Sequence, residues 1–224
     1  MTDRAEGGER ATMTRPVVTL FEMYGSGAAE IGPRVAETLG VPWVPQALSS
    51  ESIEEAEVAR AADPDEGLLS RILRILGGTP NPVQDDSGGQ ALFAALDHDM
   101  VQQNTRTVLD ATRNGGVILG RNATVILADR PHAVHVLLTG RVDDRVARAA
   151  RAAGISSDRA ARRQVKEDAV RREMSQRLYS WDPQDPARYD LVINTSRIDV
   201  QRSAEIIVAA SRAALGPASP DSPS

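Results

Sequence analysis

A chain of 224 residues, 41% apolar and 25% charged, has room for one α/β domain with a full core and the composition of an ordinary soluble protein. Its net charge of −5 argues against wholesale nucleic-acid binding, and no run is apolar enough to span a bilayer. Without cysteine there is no disulfide framework, thiolate metal site or cysteine nucleophile; the polar N-terminus does not read as a signal peptide, so cytoplasm is the default compartment.

Residues 1–14 lack periodicity and read as a disordered arm, leaving a domain over 15–214 and a proline-punctuated, disordered tail at 215–224. The first strand is expected at Val17–Phe21. A helix follows from about Gly27 to Leu39, with Ile31, Val35 and Leu39 on one face. The stretch VPWVPQ reads as a short edge strand, where proline is tolerated. Ser52 and Glu55 have capping-box spacing for a helix over about 52–62, and another helix is expected at 66–76 before a turn-rich loop.

A long helix from about 90 to 113 should stop at NGG. VILG (117–120) and AVHVLLT (133–139) are all-apolar or nearly so, as strands buried on both faces must be. Helices are expected at 142–153, at 156–180 (strongly arginine-rich) and at 200–214, with a last strand at 190–195. Strands alternating with helices imply a parallel sheet with right-handed crossovers.

The turn between the first strand and helix, YGSGAAE, is built like a phosphate-binding turn. A working loop reads G-x-x-x-x-G-K-[ST], with lysine on the phosphates and a hydroxyl on magnesium. With Gly27 as the second glycine, the first falls at Glu22, the lysine at Ala28 and the hydroxyl at Ala29. Lys166 is the single lysine among 26 basic residues, so no lysine is near. The backbone amides of Gly25, Ser26, Gly27, Ala28 and Ala29 still offer an anion site, while Glu22 would repel one; a packing turn is the bland alternative.

Four segments, YGSGAAEIGPRVAETLGVPW, GGVILGRNATVI, VHVLLTGRVDDRVARA and RYDLVINTSRI, occur in the order found in cytidylate kinase-like proteins, and the chain resembles that family over roughly 16–212. The resemblance implies a three-layer P-loop NTPase-type parallel sheet flanked by helices, a helical NMP-binding excursion at about 45–95 and a lid at about 150–185. It also implies ATP with Mg²⁺ as donor and no structural metal.

By that resemblance Arg121 and Asn122 of LGRN hold the acceptor, although the flanking acids of the similar DGRD segment are Leu119 and Asn122 here. The lid pattern R-x-x-x-D-x-x-R falls on Gln164, Asp168 and Arg171, with Arg163 beside the lost arginine. Asp168 and Arg171, at i and i+3, should share a helix face. Arginine forks suit phosphate oxygens, whereas a charge run alone usually means a solvated face. NTSR (194–197) stands where such kinases meet the adenine. Arg121, Asp168 and Arg171 are thus the catalytic candidates, and the expected ligand is a nucleotide or other phosphorylated small molecule.

The leading expectation is phosphoryl transfer from ATP to a CMP-like nucleoside monophosphate. The rival is a weak or inactive relative acting as a nucleotide-sensing or protein-interaction module, with a protein partner left open. Missing lysine, missing hydroxyl, the lost lid arginine and Leu119 favour the rival. His98, His132 and His135 lack metal-ligand spacing.

Overall fold

A computed structural model describes residues 15–55 and 89–216, with side chains from 97 onward in the second part. The expected arm, most of the tail, the helix at 66–76 and the turn-rich loop lie outside the described residues. Five parallel strands run in the order β2-β3-β1-β4-β5: β1 Val17–Glu22, β2 Trp43–Val44, β3 Gly116–Leu119, β4 Ala133–Thr139 and β5 Leu191–Asn194. The helices are α1 Ala28–Leu39, α2 Gly89–Ala111, α3 Ala123–Ile126, α4 Val142–Ala153, α5 Ser157–Tyr179 and α6 Val200–Ala214. A helical segment at 50–55 precedes α2.

β1 sits at the centre because its run VVTLF is apolar on both faces except for Thr19. Alternate residues serve opposite layers. Val18 and Leu20 pack with Val117, Val136 and Leu138 against Ile31 and Val35 of α1 and Ile207 of α6. Val17 and Ile118 pack against Val108 of α2, with Ala123 and Leu127. Full burial of each such valine or isoleucine stabilises by about 1.5–3 kcal/mol. Thr19, facing the second layer, is satisfied by Thr124 Oγ1 at 3.1 Å and His135 Nδ1 at 2.8 Å. Burial pushes the His135 imidazole below its ordinary pKa.

Strand and helix ends follow local chemistry. α1 stops at Gly40 (φ 64°) and α4 at Gly154 (φ 63°), both left-handed caps. Ser156 Oγ caps α5 and Asp199 caps α6, each accepting from the backbone N–H three residues on. Gly32 lets α1 lie on the ring of Trp43: a Cβ there would stand 2.1 Å from the indole.

Two details differ from the sequence expectation. The 50–55 segment is capped by Ser49, whose Oγ accepts from Ser52 N at 3.1 Å, so the helix starts earlier than Ser52. The short α3 and a 3-10 turn at Pro186–Arg188 were not foreseen, since neither is long enough to show a period. The register Glu22↔Leu138, with Gly120 N donating to Leu20 O at 2.8 Å, brings the carboxyl ends of β1, β3 and β4 to one level. Ligands gather at that edge in open α/β sheets.

Candidate functional site

The β1–α1 turn is held open at one edge of the sheet by positive-φ glycines, Gly25 (φ 78°) and Gly27 (φ 94°). A Cβ on Gly25 would meet the Arg145 carbonyl oxygen at 2.3 Å, so only glycine lets the loop lie on α4. Arginines from α4 hold the loop carbonyls: Arg145 Nη1 donates to Tyr24 O at 3.0 Å and Arg148 Nη1 to Gly25 O at 2.7 Å. Arg148 also donates to Thr195 O at 2.8 Å and Thr195 Oγ1 at 3.2 Å, tying the NTSR turn to the loop. From α5, Asp168 accepts from Tyr24 N at 2.7 Å, from Arg145 Nη1 at 3.0 Å and from Gln164 Nε2 at 2.8 Å.

The α1 N-terminus is met from inside the chain. Glu22 Oε2 accepts from Ala28 N at 3.0 Å, reaching across the turn it begins. Burial pushes this carboxyl above its ordinary pKa, while the nearby Arg171 guanidinium opposes the rise. Ala28 is buried, Ala29 is exposed, and Ser26 Oγ is buried with no hydrogen-bond partner among the described residues.

Beside the loop lies a cavity of about 230 Å³, bounded by Phe21, Gln46, Asn104, Arg121, Arg171 and Tyr179 among others. Its floor is the turn after β3, where Gly120 (φ 67°), Arg121 (φ 56°) and Asn122 (φ 53°) are all left-handed. Two successive non-glycine residues in that region store strain, which clusters at ligand sites. Neighbours over-determine the turn: Asn104 Nδ2 donates to Arg121 O and to Tyr179 Oη, each at 2.7 Å. Trp181 Nε1 donates to Asn122 Oδ1 at 2.9 Å while packing edge-on against Phe21.

Arg121 is half-buried and donates through Nε to Pro45 O at 3.3 Å. Burial lowers its pKa from the ordinary arginine value, and no carboxylate among the described residues offsets that penalty. The site therefore presents a partly desolvated cation to a cavity. Arg171 lines the same cavity; its Nη2 serves Glu167 Oε2 at 2.6 Å and Gln46 Oε1 at 3.1 Å, and its buried Nη1 has no partner among the described residues.

Arg121, Asn122 and Arg171 thus meet at one cavity, and Gly25–Ala29 form the adjoining turn. Asp168 lies under the loop rather than in the cavity lining. Arg163, with 6% of its side chain exposed, is spent on Glu54 and Glu51 of the 50–55 segment. Hence Asp168 and Arg171, expected on one helix face, address different neighbours. Arg145 and Arg148 escaped the sequence reading; their i, i+3 spacing just after β4 was the available signal, lost among many arginines. Among the described residues no group of three or more His, Asp or Glu is arranged to hold a metal ion.

A glycine-rich β1–α1 turn, an all-parallel five-stranded sheet flanked by helices and a cavity at the strand ends define a P-loop-type α/β fold. Residues 17–197 match the model of the cytidylate kinase-like family, and the chain belongs to that family. Among solved structures, an uncharacterized protein from Eubacterium ventriosum matches with TM-score 0.57 at 19% identity, over 88% of this chain and 98% of its own. A shikimate kinase from Acinetobacter baumannii, in complex with shikimate, is more distant: TM-score 0.42, 18% identity, 88% of this chain and 93% of that one. A curated uronate isomerase of Corynebacterium glutamicum is 36% identical over 125 residues, 56% of this chain and 24% of that protein. The chain therefore spans about a quarter of the length of that relative.

Proposed function

We propose that the cavity binds a phosphorylated small molecule, with a CMP-like nucleoside monophosphate as first candidate, and that the chain is a nucleotide-sensing or weakly catalytic family member. The observation that carries this reading is Arg121: a half-buried guanidinium, uncompensated by any carboxylate among the described residues, on a strained turn at the edge of the cavity. A phosphate or carboxylate would supply the missing counter-charge and accept two parallel N–H bonds. Asn122 and Asn104 line the cavity, where they can read polar edges of the ligand, and Arg171 adds a second cation to its lining.

Phosphoryl transfer from ATP with Mg²⁺ is the family expectation, and the residues here support it poorly. Ala28 and Ala29 stand where a lysine and a hydroxyl would serve the donor, and Leu119 stands where an acid would help organise the ion. The loop is a degenerate Walker A sequence in this reading. Asp168 acts as a loop strut, and Arg163 holds the 50–55 segment, so neither contacts substrate.

Thermal stability measured across ATP, GTP, CMP, dCMP, UMP, AMP and a uronate, with and without Mg²⁺, tests the proposal. The uronate is included because the curated relative carries that name. A ligand present at one hundred times its Kd should stabilise by ~2.7 kcal/mol. Stabilisation by a monophosphate without ATP is the expected result. A requirement for the ATP–acceptor pair, followed by turnover in a coupled assay, would instead make the chain an efficient kinase.

A further inference from the structure

We infer that Glu22 is a built-in occupant of the β1–α1 loop: its carboxyl fills the space on the α1 N-terminus that a donor phosphate would need, and keeps that half of the site closed.

The argument begins with sequence position. In a G-x-x-x-x-G-K-[ST] loop the first residue is glycine, so nothing projects from the end of the strand into the ring of amides. Here that position is Glu22, and its side chain projects inward: Oε2 lies 3.0 Å from Ala28 N. The loop wraps one acidic group, as such loops do, but the group belongs to the chain itself.

Helix energetics explain why it stays. The N-cap residue of α1 is Gly27, which has no side chain to satisfy the first-turn N–H groups. The helix dipole and those free donors favour an acceptor at this end. Glu22 supplies it from six residues upstream. Its neighbours fix the arrangement: Arg145 and Arg148 hold the loop carbonyls, and Asp168 holds Tyr24 N. With the loop pinned at three successive peptide units, carboxyl and phosphate compete for one space. The charge of Arg171 restrains the rise in the Glu22 pKa that burial causes. Ser26 Oγ, buried in the same turn and without a partner among the described residues, is the polar atom that the closed arrangement leaves unused.

This inference rests on the phosphate-loop reading of the turn and not on the Arg121 cavity. Its test is calorimetric titration of tripolyphosphate, without metal, into the full-length chain, Glu22→Ala and Glu22→Gln. Whatever the Arg121 cavity takes up in both proteins, Glu22→Ala should bind tripolyphosphate at least about tenfold tighter than wild type. Glu22→Gln keeps the shape and an acceptor oxygen, so it should bind no better than an intermediate amount. Equal binding by wild type and Glu22→Ala, within about twofold, would overturn the inference.

Removing this acceptor also weakens the α1 N-terminus, so a folding control by circular dichroism accompanies each variant. Should Glu22→Ala fail to fold, amide NMR of the wild type decides. The Gly27 and Ala28 resonances should stay fixed on adding tripolyphosphate, and their displacement with saturation would overturn the proposal. CMP titrations on the same samples report on the cavity separately. A flat CMP response beside a gain in tripolyphosphate binding would sink the cavity reading and leave this one standing.

Discussion

Replacing Asp168 by alanine should destabilise the protein severely while sparing the cavity. The carboxylate, 10% exposed, receives three hydrogen bonds, from Tyr24 N, Arg145 Nη1 and Gln164 Nε2. Its loss strands the Arg145 guanidinium, 4% exposed, with the carbonyls of Gly140 (3.1 Å) and Tyr24 (3.0 Å) its remaining partners among the described residues. Breaking a buried pair from one side costs about 3–5 kcal/mol, and the two remaining carbonyls argue for the low end, about 3. For a domain of this size that corresponds to a fall in Tm of about 6–12 °C. With a urea slope of about 2 kcal/mol/M, the midpoint should fall by about 1.5 M.

Urea unfolding of wild type, Asp168→Ala, Arg145→Met and the double variant closes the cycle, and the double variant should be less destabilised than the two singles summed. A loss below about 1 kcal/mol, within the range of an exposed pair, would refute the strut. Loss of ligand binding with stability intact would do the same, and would return Asp168 to the substrate.

Three further outcomes follow from the same geometry. Gly25→Ala combines a left-handed φ of 78° with a Cβ 2.3 Å from a backbone oxygen, whereas Gly40→Ala (φ 64°) meets nothing within 4 Å. Chemical unfolding should show a loss of about 1 kcal/mol for Gly40→Ala and at least about 3 for Gly25→Ala. Glu54 is held well below the ordinary carboxylate range by hydrogen bonds from Arg163 and then Arg159. A depressed folded-state pKa gives stability that is complete above the unfolded value of about 4.3 and is lost as pH falls toward the folded one. The urea midpoints of wild type and Glu54→Gln should therefore differ at neutral pH and converge in acid. Trp43→Phe leaves Trp181, bonded to Asn122, as sole indole, and its emission should respond to any ligand that displaces Asn122.

Much of the scaffold was legible because it is periodic. The apolar run of β4 and the amphipathic α4 and α6 match their expected spans, since a two- or 3.6-residue period with glycine or proline punctuation fixes such elements. The edge placement of β2 followed from its flanking prolines. Arg121 stood out because a strand end is where ligands gather, and it lines the cavity there.

What spacing could not supply was the far side of each contact. Asp168 and Arg171 share a helix face by count, yet one meets Tyr24 and Arg145 and the other meets Gln46 and the cavity. Arg163 is likewise engaged by Glu54 and Glu51, from a segment over a hundred residues upstream. The inward turn of Glu22 is invisible in sequence, which gave its charge but not its direction.

The central claim is that Arg121 provides the anion-binding cation of the cavity. It is tested most directly by titrating CMP into Trp43→Phe protein and into the same protein carrying Arg121→Ala, following Trp181 emission. Saturable binding that weakens by about 10- to 100-fold in the alanine variant is predicted, as for losing a charge-assisted hydrogen bond worth about 1.5–3 kcal/mol. Equal affinity in both proteins would contradict the account.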